Sequence, residues 1–291
     1  MMASNNLANK GAVVITGTSS GIGRATALYL DRVGFKVFAG VRKEEDGNSL
    51  RQESSDNLTP VIIDVTDNDS INRASEIVAE SVKEAGLAGL VNNAGIPCGG
   101  PIEFVPIDDI WKVLHVNLIG HVSVIQAFLP LLRKASGHIV NIGSIGGIQP
   151  LAFNGPYSAS KAALKTLTET LRMELRLSGI QVSIVIPGNV LTAIWGKGGE
   201  SRAERAGHLP PEIFEYYGQT LSKLIPFFER MRKTGMAPEQ VARVIEKALT
   251  SKKPKAHYLV GLDAKIQALM ARFLPDKIRD RIMLHYMGIS T

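Results

Sequence analysis

Short β-branched runs that alternate with longer amphipathic stretches restrict this chain more than any other feature. The runs are G-A-V-V-I-T-G, F-K-V-F-A-G, L-T-P-V-I-I-D-V-T, L-A-G-L-V-N-N-A-G, G-H-I-V-N-I-G-S, I-Q-V-S-I-V-I-P-G and H-Y-L-V-G. Helical patterns over 22–33, 69–85, 107–134 (more than one helix), 157–178 and 238–251 separate them. Near-continuous apolar strands are buried on both faces, and helices between them supply the crossovers that parallel pairing requires. The expectation is α/β: one doubly wound domain over 1–291, with a seven-stranded parallel sheet and helices on both faces.

Length and composition agree with a globular chain. It has 291 residues, 45% hydrophobic and 21% charged, which excludes the disordered and fibrous classes. A single cysteine, Cys98, excludes an intrachain disulfide and a multi-thiolate metal site. His115, His121, His138 and His257 do not group with carboxylates at ligand spacing, so no metal is assigned. The net charge of +6 favours anionic ligands, but the basic residues are dispersed and nucleic acid is not an expected partner. The polar M-M-A-S-N-N-L-A-N-K start lacks an apolar signal core, and no apolar run is read as long enough to span a bilayer. A cytoplasmic protein without an integral membrane segment is expected.

Two regions break the alternation. Residues 191–235 form a long irregular excursion carrying Phe214, Tyr216, Tyr217, Phe227 and Phe228, read as a lid over an apolar ligand. The tail from 263 to 291 reads as two amphipathic helices, 264–273 and 276–287, split by Leu274-Pro275. Ile266, Leu269, Met270 and Phe273 are at helical spacing. Packing on the body or a partner subunit is expected. Lys265, Arg272, Lys277, Arg279 and Arg281 leave an interfacial membrane contact as the alternative.

The chemistry gathers where strands end, which is where ligands bind in an open parallel sheet. Thr16-Gly17-Thr18-Ser19-Ser20-Gly21-Ile22-Gly23 runs from the first strand into a helix, a cradle for phosphate at a helix N-terminus. Asp64 and Val65 follow the third strand, and Asn92-Asn93-Ala94-Gly95 the fourth. Asn117 lies in a helical run, Ser144 follows the fifth strand, and Pro187-Gly188 the sixth. Tyr157 and Lys161, four apart at the start of a helix, share one face. A positive charge about 4 Å from a phenolate is worth roughly 1–4 kcal/mol, depending on the effective dielectric. A lysine so placed would draw the tyrosine down from a pKa near 10, and a partly exposed helix face is the alternative that the spacing alone leaves open.

T-G-T-S-S-G-I-G, N-N-A-G, Asn117, Ser144, Y-S-A-S-K and P-G-N-V-L-T, in this order, resemble the short-chain dehydrogenase/reductase family across about residues 10–262. G-F-K-V-F-A-G, L-x-x-V-x-x-D-V-T and G-L-V-N-N-A-G resemble its retinol/hydroxysteroid dehydrogenase branch. The resemblance implies a Rossmann-like fold, an NAD(P)-dependent oxidoreductase and a homodimer or homotetramer. It makes Tyr157 the general acid/base, Lys161 its partner on the nicotinamide ribose, Ser144 the holder of the substrate oxygen, and Asn117 the anchor of a water leading from Lys161.

Residues 17–23, Asp64, Val65, Asn93, Ala94, Gly95, Pro187, Gly188, Val190 and Thr192 would line the dinucleotide. At the end of the second strand, Val41 stands where many NAD-dependent relatives carry Asp, and Arg42 follows. NADP(H) is therefore expected as the preferred cofactor, with NAD(H) possible and Arg42 on the 2′-phosphate. The expected substrate is a lipophilic alcohol or ketone of steroid or retinoid type. A 3-oxoacyl thioester reductase, a hydroxybutyrate-type dehydrogenase and a non-catalytic dinucleotide sensor are the alternatives.

Overall fold

The structure, a computed structural model, describes residues 10–192 and 211–289. All seven expected strands form: β1 (Ala12–Ile15), β2 (Lys36–Val41), β3 (Leu58–Ile62), β4 (Gly89–Asn92), β5 (His138–Ile142), β6 (Gln181–Pro187) and β7 (His257–Val260). They lie in one sheet in the order β3-β2-β1-β4-β5-β6-β7, every pair parallel. The chain winds outward from β1 in one direction and from β4 in the other, so loops diverge between these two strands.

Side chains alternate across the sheet with period two. Val14 and Leu90 enter one core with Ile71, Ala74 and Val78 of α3 (Asn68–Val82) and Val124, Phe128 and Leu132 of α5 (Gly120–Ala135). Val13 and Ile15 enter the opposite core with Ala27 and Leu30 of α1 (Gly21–Arg32) and Val241 and Ile245 of the Pro238–Thr250 helix. The α3 start is fixed by Asp67, whose carboxylate accepts from the amides of Asp69 (2.9 Å) and Ser70 (3.2 Å). Pro156 in the first turn starts α6 (Gly155–Glu174), because its missing N–H has no helical partner to lose.

The structure corrects three sequence expectations. A helix absent from the sequence reading, α2 (Glu44–Arg51), connects β2 to β3; it buries only Gly47 and Leu50, too little for an apolar period. Its acidic first turn and Arg51 in the last complement the helix dipole. Within the 191–235 excursion, Glu212–Thr234 is a 23-residue helix, not irregular chain; Gly218 and Pro226 masked its period. Residues 193–210 of that excursion, read from the sequence as part of a lid, lie outside the described residues.

Lastly, helical chain runs from 107 to 135 through α4 (Ile107–Leu114), a π-helical turn (His115–Ile119) and α5. This run is long and apolar enough to cross a bilayer, contrary to the expectation that none is. Its apolar face instead meets the sheet through Val124, Ile125, Phe128, Leu131 and Leu132.

The tail helices form as Leu262–Phe273 and Asp276–Tyr286. The second packs on the Glu212–Thr234 helix: Phe227 meets Tyr286 edge-on at 5.4 Å, and Arg230 lies over the Tyr286 ring and donates to its carbonyl at 3.0 Å. Phe128, wholly buried between α5 and the sheet, tests the core. Phe128→Ala should lower unfolding stability by about 3–5 kcal/mol, read as a lower urea midpoint at unchanged m-value.

Candidate active site

The turn after β1 is tight because two of its residues have no room for a side chain. Gly17 has φ +69, and a Cβ there would sit 2.8 Å from the Ala94 Cα. A Cβ on Gly23 would collide with the Gly17 carbonyl and the Asn93 amide. Thr18 is buried and ties the turn to β2, its amide and hydroxyl both donating to the Gly40 carbonyl at 2.9 Å. Ser19 and Ser20 are exposed, and the Ser20 side chain makes no bond to the start of α1. The helix N-terminus thus presents backbone donors that no side chain caps, beside Gly21 and Ile22, an arrangement that suits a phosphate.

Across the divergence between β1 and β4, Asn93 and Thr16 lock the two loops together. The Thr16 hydroxyl accepts from the amides of Asn93 (3.0 Å) and Ala94 (3.1 Å), while Asn93 Nδ2 donates to the carbonyls of Thr16 (2.9 Å) and Gly17 (3.0 Å). Behind them, Asn92 donates to Asn141 Oδ1 (3.1 Å) and Asn141 to the Thr168 hydroxyl (2.9 Å), a buried chain from β4 through β5 to α6.

Asn117 occupies the π-helical turn, a distortion that re-aims side chains and is frequent at functional sites. Its Oδ1 accepts from the Ile96 amide (2.9 Å), and its Nδ2 donates to the Ile96 carbonyl and the Ser160 hydroxyl (3.0 Å each). It therefore clamps the 95–96 turn onto α6. A Cβ built on Gly95 would lie 3.3 Å from Asn117 Oδ1 and 3.6 Å from Lys161 Nζ, so glycine leaves open the space these two atoms share.

Tyr157 and Lys161 lie one turn apart on α6, opposite Ser144 at the end of β5. Ser144 caps a short 3-10 turn, its hydroxyl accepting from the Gly146 amide at 3.1 Å. The expected lever of Lys161 on Tyr157 needs correction. Lys161 Nζ is 6.0 Å from the Tyr157 ring centroid and donates to the Ile142 carbonyl at 2.9 Å. Burial pushes the phenol up from its usual value, and the hydrogen bond with Ser144 draws it down. The Ile142 carbonyl takes one of the three ammonium donors, and burial lowers Lys161 to about 8.

The remaining residues border the same strand ends. Arg42 is exposed just past β2. Burial would raise the Asp64 carboxyl, but bonds from the Thr66 amide and hydroxyl (2.9 and 2.7 Å), with the charge of Arg42, hold it below the usual range. Val65 is buried in the core cluster beside α3. Pro187 ends β6, Gly188 donates to the Val260 carbonyl at 2.9 Å, and buried Val190 bridges to Met236. Thr192 borders Gly21, which brings the loop after β6 against the glycine turn.

Sequence reasoning placed Thr16 in the phosphate turn but not in a lock on Asn93, and assigned no role to His121, Asn141, Ser160, Thr168 or Asp263. Asn141 had a legible signal, as a polar residue inside I-V-N-I that the register pairs with Asn92. Asp263 had none: it accepts from the Asn189 amide (2.7 Å) across 74 positions of chain. His121 is fully buried, its Nε2 2.7 Å from the Ala94 carbonyl behind the Asn-Asn-Ala-Gly turn. No group of three or more metal-ligating side chains occurs among the described residues.

Residues 11–203 match the model of the short chain dehydrogenase family. The chain is 40% identical to 17-beta-hydroxysteroid dehydrogenase type 6 of Bos taurus over 280 residues, covering 93% of this chain and 87% of that one. It is 37% identical to retinol dehydrogenase 5 of Homo sapiens over 282 residues, with coverage of 95% and 88%. A crystal structure of a short-chain dehydrogenase from Streptomyces avermitilis superposes with a TM-score of 0.75 at 29% identity and covers 94% of each chain.

His121 generates a prediction about pH. Burial first, then the charge of Lys161, lowers its imidazole from 6.5 to about 3, against the opposing Ala94 bond. The unfolded chain therefore takes up this proton before the folded one. The contribution of His121 should be intact above pH 6.5 and be lost as the pH falls toward about 3. Urea midpoints across that range should fall less steeply for His121→Gln than for the unaltered protein.

Proposed function

Because this chain belongs to the short-chain dehydrogenase/reductase family, we propose that it interconverts a lipophilic secondary alcohol and its ketone, of steroid or retinoid type. NADP(H) is the preferred cofactor in this reading and NAD(H) the second. The convergence of Tyr157, Ser144 and Lys161 at the carboxyl edge of the sheet carries the proposal, since two chain segments, the turn after β5 and the start of α6, bring one proton-transfer group, one hydroxyl and one buried cation together.

The bound dinucleotide would supply or accept the hydride. Its phosphates would rest on the start of α1, and its remainder on Asp64, Val65, Asn93, Ala94, Gly95, Pro187, Gly188, Val190 and Thr192. Tyr157, whose phenol burial keeps protonated, donates to the substrate oxygen as a carbonyl is reduced and takes the proton back in the reverse direction. Ser144 bonds the same oxygen, most strongly as negative charge builds on it. Lys161 offers a fixed positive charge to the phenolate that results. Asn117, which clamps the 95–96 turn, would anchor a water that leads from Lys161 and returns the proton.

Support for an apolar substrate comes from the rings next to this edge. Phe153 and Phe104 pack edge-on against Tyr217 of the lid helix, with centroids 5.8 and 6.2 Å apart. Relatives named for retinol and hydroxysteroids agree in substrate chemistry.

Tyr157→Phe should reduce turnover of hydroxysteroid or retinoid substrates by about 10²–10⁴-fold while cofactor titration stays nearly unchanged; full activity in that variant would remove Tyr157 from the reaction. For cofactor choice, Arg42→Ala should raise the KM for NADP(H) by about 10–100-fold, the value of a charged hydrogen bond, and leave that for NAD(H) in place. An unaltered ratio of the two would assign the 2′-phosphate to another group.

A further inference from the structure

We propose that the two tail helices form a docking face for an anionic lipid bilayer, on which the protein lies without spanning it. The Leu262–Phe273 helix exposes Leu262, Ile266, Leu269 and Phe273, at successive spacings of four, three and four residues. Leu262 is 73%, Leu269 61% and Phe273 67% exposed, so this stripe has no cover among the described residues. The opposite side is the anchored one: Ala264 is wholly buried, and Asp263 holds the Asn189 amide. The Asp276–Tyr286 helix exposes Ile278 and Ile282 one turn apart, with Leu284 on another side, while Met283 is buried.

Charge selects the occupant. At 100° per residue, Lys265 and Arg272 fall on one flank of the first stripe, and Lys277 and Arg281 on the same flank of the second. All four are exposed, and none forms a salt bridge among the described residues, whereas Arg279 pairs with Asp276 at 2.8 Å. An apolar stripe edged by unpaired cations is complementary to acyl chains below and anionic headgroups beside them. A second copy of this chain would bring cations of its own to the same face.

The position has a consequence for the site. The second tail helix is latched to the Glu212–Thr234 helix through Phe227, Arg230, Tyr286 and buried Met287, and that helix carries Tyr217 against Phe153. A docked tail would therefore place the lid beside the bilayer, where a lipophilic substrate is dissolved. That consequence rests on the substrate class proposed above; the docking itself does not.

The test is co-sedimentation of the full chain, without cofactor or substrate, with phosphatidylserine/phosphatidylcholine vesicles and with pure phosphatidylcholine vesicles. Binding to the mixed vesicles is expected, weakened by salt. Leu269→Glu with Phe273→Glu should abolish it while the urea midpoint stays unchanged. Lys265→Gln with Arg272→Gln should weaken it by about fivefold per cation removed with all apolar residues retained. The proposal is overturned if the chain stays in the supernatant, if the glutamate pair binds as well as the parent, or if light scattering shows that the pair splits an oligomer whose stripe a second copy had covered. Failure here leaves the Tyr157 reading intact, because no turnover enters the measurement.

Discussion

The structure depends on a lock across the one place where the loops leaving its continuous sheet diverge. Between β1 and β4 the chain winds away in opposite directions, and the loops that follow them have no ladder to hold them together. Thr16 and Asn93 supply four hydrogen bonds across that gap, joining the glycine turn to the Asn-Asn-Ala-Gly turn. A crevice there is a binding site only while its walls keep their spacing. The glycines at 17 and 23 let the walls approach, and the lock fixes how near they come.

The same economy of buried polar groups governs the catalytic end. Burial would be costly for Lys161 without a partner, and the Ile142 carbonyl at the strand end provides one. Neutral His121 holds Ala94 without placing a second charge near that ammonium. Asn92, Asn141 and Thr168 pass hydrogen bonds from the sheet to α6, so the helix that carries Tyr157 is tied to β4 and β5 by direction as well as by apolar contact. Each of these groups constrains where the tyrosine hydroxyl and the lysine ammonium sit, and the chemistry proposed for the site follows from those positions.

Apolar period and local turn chemistry were legible because they repeat over neighbouring residues. The seven strands and the tail helices announce themselves in this way, and the glycine turn and the Tyr157/Lys161 spacing are contained within a few positions each. α2 was not legible, since eight residues that bury one leucine show no period, and the Glu212–Thr234 helix was hidden by Gly218 and Pro226. The apolar run at 107–135 illustrates the opposite failure: composition cannot tell a core helix from a spanning one, because a sheet and a bilayer both bury apolar side chains.

The sequence by itself therefore determined the parallel α/β architecture and pointed to the polar residues proposed for its carboxyl edge. Strand direction and helical period follow from the order of side chains along the chain. Tertiary structure decided what those residues touch: Lys161 bonds the Ile142 carbonyl and lies 6.0 Å from the Tyr157 ring, and Asp263 meets Asn189 across 74 positions. Spacing in a sequence fixes which face a group occupies, while its partners and its proton affinity depend on burial and on atoms that only folding brings near.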